Sequence, residues 1–178
     1  MNNLELLEGI KKFKNEIDDK FETAISLVDE NFEFECVEFS ETEINKIEKM
    51  SNVIYYIEIY DFQDFQCDTF LKKFKKFKDS NKKKIKLPQI NKESKSKILY
   101  VGKSSTDFQT RINCHYGNKS LSTYSIHYKT WSDKDFFKNL KFRLYYYQFQ
   151  RPIHKDVLEI IESAFHFKFN PLLGRSGH

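Results

Sequence analysis

An arginine and a histidine stand four residues apart, at Arg111 and His115, soon after an apolar run that contains Tyr100 and Gly102. Residues four apart share one face of a helix, so this face would carry a guanidinium and an imidazole together. A guanidinium can donate two hydrogen bonds to the oxygens of one phosphate, and an imidazole exchanges protons near neutral pH. The stretch therefore indicates phosphate chemistry, with Gly102 expected to permit a tight turn between strand and helix.

A carboxylate, Glu162, stands among the apolar residues of a predicted helix, close to Ile161 and Phe165. Buried carboxylates are rare unless they are paired or bind a metal. Phosphodiester hydrolysis needs a deprotonated water, charge stabilisation at the phosphoryl oxygens and help for the leaving oxygen. Arg111 fits the second need, and Glu162 can hold one Mg²⁺, with waters and the phosphate as the other ligands.

Three runs rich in β-branched and aromatic residues predict the strands that position these side chains. They are residues 53–60 (VIYYIEIY), 98–102 (ILYVG) and 140–149 (LKFRLYYYQF). A fourth stretch, residues 31–39, alternates aromatic residues with acids, which indicates a half-exposed strand or an extended arm.

Apolar residues at spacings of three and four, together with capping residues, predict the helices. They cover residues 4–28, a short stretch from the Ser40–Glu43 capping box to about Met50, the stripe from Phe70 to Phe77, residues 106–116, residues 132–139, and the segment from Pro152 to about 167. Ser105 or Thr106 is the predicted cap of the helix that carries Arg111, and Gly117 is expected to end it. Ser132 is the predicted cap of the helix at 132–139.

Charge is distributed unevenly along the 178 residues, whose length favours one domain. Residues 1–50 hold 6 Lys and 14 acids, a net charge of −8, whereas residues 51–178 carry +12. Within the basic part, residues 63–97 hold 12 Lys against 4 acids, and their second half is expected to be a solvated loop. We therefore predict an acidic N-terminal helical appendage (1–50) and a basic domain (51–178) with a Lys-rich insertion (63–97). A basic body favours a polyanionic partner.

Several classes are disfavoured by composition. No apolar run is long enough to span a membrane, and the N-terminal stretch carries acids and no apolar signal region, so we expect cytoplasmic residence. Cys36, Cys67 and Cys114 are an odd number without paired spacing, which indicates reduced thiols. No CxxC pair supports a metal site at Cys114 with His115 and His127.

The order of these features resembles the signature of the GIY-YIG nuclease superfamily, which includes homing endonucleases, the excision-repair nuclease subunit and some type II restriction enzymes. The matching residues are VIY at 53–55, YVG at 100–102, Arg111, His115 and Glu162. The resemblance covers about residues 52–178. It implies an α+β fold in which a small three-stranded antiparallel sheet is flanked by helices.

The resemblance also implies roles. Tyr55 would take the proton from the attacking water, although ionising a free tyrosine at neutral pH costs roughly 4 kcal/mol. Arg111, the metal and His115 would have to lower that cost. His115 is either the base itself or a relay that passes the proton through Tyr55. Tyr100 would orient the water, Glu162 would bind Mg²⁺ or Mn²⁺, and Lys103 would contact a flanking phosphate.

The chain departs from the family pattern at two positions. Val53 stands where the first family motif begins with Gly. Gly174 stands three residues past Pro171, where the family carries Asn, and Asn170 is the candidate substitute. With Lys103 and Gly102, Asn170 completes the predicted substrate-binding set.

The leading hypothesis is a metal-dependent endonuclease that hydrolyses DNA, associated with restriction, phage defence or a mobile element; RNA stays open as a substrate. The alternative is a catalytically inactive nucleic-acid-binding module on the same fold. A third hypothesis is a protein-interaction domain that binds its partner through the acidic N-terminal appendage. The appendage would mimic DNA, pack against a dimer partner or extend the fold. Sequence-specific cutting of both strands would favour a homodimer, because two strands need two active sites or two visits.

Overall fold

An antiparallel sheet of four strands lies at the centre of the computed structural model, which describes residues 3–28, 32–60, 65–81, 85–134 and 136–175. The strands are β1 (Glu35–Glu38), β2 (Val53–Tyr60), β3 (Ile98–Ser104) and β4 (Lys141–Gln148), in the order β1-β4-β2-β3. The helices are α1 (Asn3–Val28), α2 (Glu41–Lys46), α3 (Cys67–Asp79), α4 (Phe108–Tyr116) and α5 (Lys155–Phe169). The predicted α+β class is therefore confirmed. No helix in the described ranges has the length and apolar character needed to cross a bilayer.

The predicted count of three strands is wrong, because β1 adds a fourth. It comes from residues assigned to the N-terminal appendage, and it pairs with β4 in the register Cys36↔Tyr145. Aromatic residues before the strand anchor it: the ring centroid of Phe32 lies 4.8 Å from that of Tyr147, and Phe34 lies 5.9 Å from Phe165. Burial of these rings holds residues 32–38 along the sheet, so part of the acidic segment belongs to the fold core.

Alternation along β2 sends side chains to two separate apolar cores. Tyr55 and Ile57 face the core that contains α3, α4 and Trp131, whereas Ile54 faces the core built on α1 and α5. Strand β3 forms an edge of the sheet. Side chains from α4 on one face and from α5 on the other can therefore approach each other around this edge.

Helix α4 begins at Phe108, one residue later than a Thr106 cap and two residues later than a Ser105 cap would place it. Its N-cap is Asp107, whose carboxylate accepts the N–H of Thr110 at 2.9 Å, so the prediction of Ser105 or Thr106 is wrong. Phe108 is fully buried directly after the cap. Gly117 ends the helix with φ of 100°, as predicted.

The predicted helix at 132–139 is wrong for the residues that the structure describes. A 3₁₀ helix, η1 (Tyr128–Thr130), is followed by turns whose N–H groups bond three residues back, as from Lys134 to Trp131 and from Leu140 to Phe137. This spacing lets Trp131 and Phe137 both reach the core. The stripe at 70–77 does form a helix, α3, with Phe70, Leu71 and Phe74 buried.

The described residues of the insertion's second half, 85–97, form a loop as predicted, but the loop is packed against the body, so its predicted solvation is wrong. Residues 82–84 lie outside the described residues. Ile85, Leu87 and Ser94 are buried, and Ile90 forms a β-bridge with Leu173. Lysines between them are exposed, for example Lys86. The alternation buries the apolar side chains and leaves the charges in solvent, which a count of lysines could not reveal.

Candidate active site

Four of the predicted catalytic side chains meet in one hydrogen-bonded cluster. Arg111 donates from Nε to Tyr55 Oη and from Nη2 to Tyr100 Oη, both at 3.2 Å. The Oη of Tyr55 lies 2.9 Å from Nε2 of His115. The two tyrosine rings are stacked with centroids 6.4 Å apart. Residues from β2, β3 and α4 thus converge at one point.

Strand register explains why the tyrosines can stand so close. Tyr55 lies directly opposite Gly102 in the β2–β3 pairing. A Cβ placed on Gly102 would lie 2.5 Å from Tyr55 Cζ and 2.9 Å from Tyr100 Cε1. Gly102 therefore makes room for both rings. Its predicted role as a turn residue is wrong, because β3 continues to Ser104.

His115 is fully buried, and both of its ring nitrogens have partners. Nδ1 accepts the backbone N–H of Ile126 at 3.3 Å, which assigns the ring proton to Nε2 and makes Tyr55 Oη its acceptor. Burial, together with the Arg111 cation, holds the pKa of His115 well below its ordinary value. A neutral ring in this tautomer has no free lone pair with which to take a proton, so the geometry favours His115 as a donor to Tyr55.

The two phenols are held in their protonated form. Burial raises the pKa of Tyr55 and of Tyr100, and the Arg111 cation lowers both only in part. The phenol oxygens in turn raise the pKa of Arg111, so its guanidinium is permanently charged. Tyr55 has no exposed surface, whereas Tyr100 is 9% exposed. This difference decides which phenol can meet a solvent molecule.

Glu162 reaches the same cluster from α5, around the β3 edge. Its carboxylate interacts electrostatically with Lys103, Arg111 and Tyr100. Burial raises the pKa of Glu162 to about 7, against the lowering effects of Lys103 and Arg111. The Lys103 Nζ forms an ion pair with Glu159 Oε2 at 3.0 Å.

A metal at this point would have one protein carboxylate. Among the described residues no group of three His, Cys, Asp or Glu side chains is arranged to hold a metal ion. Mg²⁺ is commonly held by one or two carboxylates, with waters and phosphate oxygens as further ligands. Glu162 fits that arrangement, because burial raises its pKa and a bound cation would stabilise its charged form.

A cleft of about 450 Å³ opens beside the cluster. It is lined by Pro88, Gln89, Tyr100, Arg111, Tyr124, Gly174 and Arg175. Sequence reasoning missed Gln89, Tyr124 and Arg175, which come from loops and carry no motif. Tyr124 is 65% exposed, and its carbonyl accepts Arg111 Nη1 at 3.3 Å. Pro88 and Gln89 belong to the insertion, so the insertion borders the cleft directly.

The two departures from the family pattern have structural explanations. Val53 is fully buried in the core, so its side chain is remote from solvent. Gly174 has φ of 111°, which disfavours any side chain, and a Cβ there would lie 3.1 Å from Tyr100 Cε2. Asn170 caps the end of α5 in a left-handed conformation and lines a neighbouring pocket with Asn91 and Ser163. The structure does not place Asn170 among the residues that line the Tyr100–Arg111 cleft.

Comparison with models of known protein families gives no match to this chain. No curated protein matches it. No solved structure matches it either. The functional conclusion therefore depends on the cluster itself.

Proposed function

We propose that the protein is a GIY-YIG-type endonuclease that hydrolyses DNA phosphodiester bonds with Mg²⁺ or Mn²⁺. One observation carries the proposal: Tyr55, Tyr100 and Arg111, from three different elements, form one hydrogen-bonded cluster beside a cleft. Glu162, from a fourth element, interacts electrostatically with that cluster. A charged guanidinium held by two phenols, with a carboxylate in electrostatic range, supplies the groups that phosphate hydrolysis needs.

Arg111 is the group that binds the scissile phosphate. Its three nitrogens are each held by a hydrogen bond, to Tyr55, Tyr100 and the carbonyl of Tyr124. The guanidinium is therefore oriented before substrate arrives and loses little entropy on binding. Positive charge fixed at the cleft stabilises the charge that develops on the phosphoryl oxygens.

Tyr100 contacts the attacking water in this proposal, because it lines the cleft. Tyr55, to which the resemblance gives the proton-accepting role, is fully buried behind Arg111. Its oxygen receives Arg111 Nε–H and His115 Nε2–H, so it orients the guanidinium. Tyr55 and His115 therefore act as positioning residues.

Glu162 would hold the divalent cation, which supplies charge neutralisation at the phosphate. Lys103 stands next to it and pairs with Glu159, so Lys103 must leave that ion pair to contact a flanking phosphate. The exposed lysines of α3, with Lys86 beside the cleft, provide positive charge along which a nucleic-acid backbone can lie. Such contacts make binding weaken steeply with salt.

The full burial of Tyr55 favours one alternative, a catalytically inactive nucleic-acid-binding module on the same fold. A cleavage assay distinguishes the two functions. Plasmid DNA, single-stranded DNA and RNA are each incubated with Mg²⁺ or Mn²⁺, and the variant Glu162→Gln is compared with Glu159→Gln on the same helix. We expect DNA cleavage that Glu162→Gln abolishes and Glu159→Gln retains. Salt-sensitive binding without cleavage under any metal would establish the inactive module instead.

A further inference from the structure

Helix α1 carries an apolar stripe that the described part of the chain leaves largely uncovered. Eight of its large apolar side chains are between 44% and 64% exposed. They are Leu4, Leu6, Leu7, Ile10, Phe13, Phe21, Ile25 and Val28. Only Ala24 and Leu27 of this helix are buried. All eight exposed side chains except Leu4, which lies on the opposite side of the helix from Phe13, share one face. A single exposed leucine is ordinary, but a contiguous row of this size marks an interaction surface.

The contacts of α1 with α5 come from its second half. Ala24 and Leu27 pack in the core that contains Leu158 of α5, and Lys20 pairs with Asp156 at 2.6 Å. Residues 3–16 are exposed throughout. The first half of α1 therefore projects its apolar side chains into solvent. It continues the part of the helix that packs on α5.

The spacing of the stripe is that of a helix–helix contact. Leu6, Ile10, Phe13, Ile17 and Phe21 follow one another at intervals of three and four. The pattern runs the length of the 26-residue helix, about 39 Å at 1.5 Å per residue. A partner that covers it must offer an equally long apolar stripe.

We infer that the α1 stripe packs against the α1 stripe of a second copy of this chain, as an antiparallel helix pair. The same surface then supplies both sides of the contact, as two-fold symmetry requires. The seven side chains on this face, without Leu4, present on the order of 700 Å², which is close to the roughly 800 Å² that each partner of a standard-size protein interface buries.

The charge of α1 favours a second copy of the chain as its partner over a membrane surface. Helix α1 carries four lysines and six acids, whereas helices that lie on anionic membranes are rich in Lys and Arg on the polar face. In an antiparallel pair centred near residue 16, Lys14 of one copy lies beside Asp18 of the other. These residues already attract each other within one helix, with Nζ and Oδ2 2.5 Å apart.

The oligomeric state tests the inference on the full-length protein. Sedimentation velocity should give about twice the mass of the 21.5 kDa chain. Phe13→Glu places a charge in the centre of the stripe and should halve that mass. Asn15→Glu adds the same charge on the polar face of α1 and should leave the dimer intact. Phe13 is exposed in the single chain, so circular dichroism should show both variants folded.

Crosslinking tests the direction of the pair. In a Cys36→Ser background, which removes the exposed native thiol, Lys14→Cys lies near the two-fold axis and should form a disulfide-linked dimer under mild oxidation. Leu6→Cys should not form a disulfide-linked dimer, because residue 6 of the second copy lies at the opposite end of an antiparallel pair. A monomeric wild type, with or without binding to vesicles of anionic lipid, would overturn the inference. Efficient crosslinking through Leu6→Cys would overturn the antiparallel arrangement.

Discussion

At the scale of single residues, Arg111 organises the site. Each of its three nitrogens donates to a different oxygen, and two of these oxygens belong to tyrosines on separate strands. The guanidinium therefore joins β2, β3 and the loop that carries Tyr124. Because phenols are poor anions near neutral pH, the cluster keeps its net positive charge and is suited to a phosphate.

The two tyrosines are expected to differ when their hydroxyls are removed. Tyr100→Phe should lower the single-turnover cleavage rate by about 10²-fold or more, because it removes the phenol that lines the cleft. Tyr55→Phe should lower stability by about 1–3 kcal/mol, since two buried donors lose their acceptor. Its cleavage rate, measured on the folded fraction, should fall less. A larger rate loss for Tyr55→Phe at unchanged stability would return the catalytic role to Tyr55.

Glu162 should make stability depend on pH in a defined direction. Burial raises its pKa in the folded protein to about 7, above the ordinary 4.5. Between these values the unfolded chain releases the proton that the folded protein retains, so the free energy of unfolding falls as pH rises from 4.5 to 7. Glu162→Gln should remove roughly 2 kcal/mol of this fall.

Urea unfolding at pH 5 and pH 7.5 in the presence of a chelator measures this effect. Wild type and variant should diverge toward the higher pH, with the variant the more stable there. Parallel changes in the two proteins would show that Glu162 is ionised normally when no metal is bound.

At the scale of elements, the strands were the most predictable part. The runs at 53–60, 98–102 and 140–149 are rich in β-branched and aromatic residues, and each forms a strand. The fourth strand could not be assigned to the core, because its acidic residues match a surface arm equally well. Pairing with β4 and the packing of Phe32 and Phe34 place this strand in the sheet. These are contacts between residues far apart in the chain, so a local sequence pattern does not predict them.

Gly102 shows how one position in a strand shapes the site. Gly102→Ala should lower stability by about 1–3 kcal/mol, because the new methyl group overlaps the rings of Tyr55 and Tyr100. Cleavage should fall as well, since Arg111 loses its two aligned acceptors. Gly9→Ala is the matched control: no atom lies within 4 Å of the added group, and alanine in a helix should stabilise by about 0.5–1 kcal/mol. Thermal unfolding of both variants measures the difference, and equal stability would show that the strands separate to accept the methyl group.

At the scale of the whole molecule, the topology explains how much of the site could be predicted. The order of Tyr55, Tyr100, Arg111 and Glu162 follows a recognisable pattern. The structure joins the first three by hydrogen bonds and leaves Glu162 within electrostatic range of Arg111. That arrangement depends on β3 being an edge strand, because side chains from α4 and α5 can approach each other around an edge. The cleft walls come from loops at 88–89, 124 and 174–175, which no local pattern ties together.

Pairing through α1 would also determine what kind of cut the protein makes. Because α1 packs on α5, which carries Glu162, an α1 pair would link two complete sites in one particle. Wild type should then linearise a supercoiled plasmid in one binding event, whereas Phe13→Glu should accumulate nicked circles before linear product. Asn15→Glu should behave as wild type. The ratio of nicked to linear DNA over time, read from a gel, measures this. Linear product formed equally fast by a confirmed Phe13→Glu monomer would show that each copy cuts both strands alone.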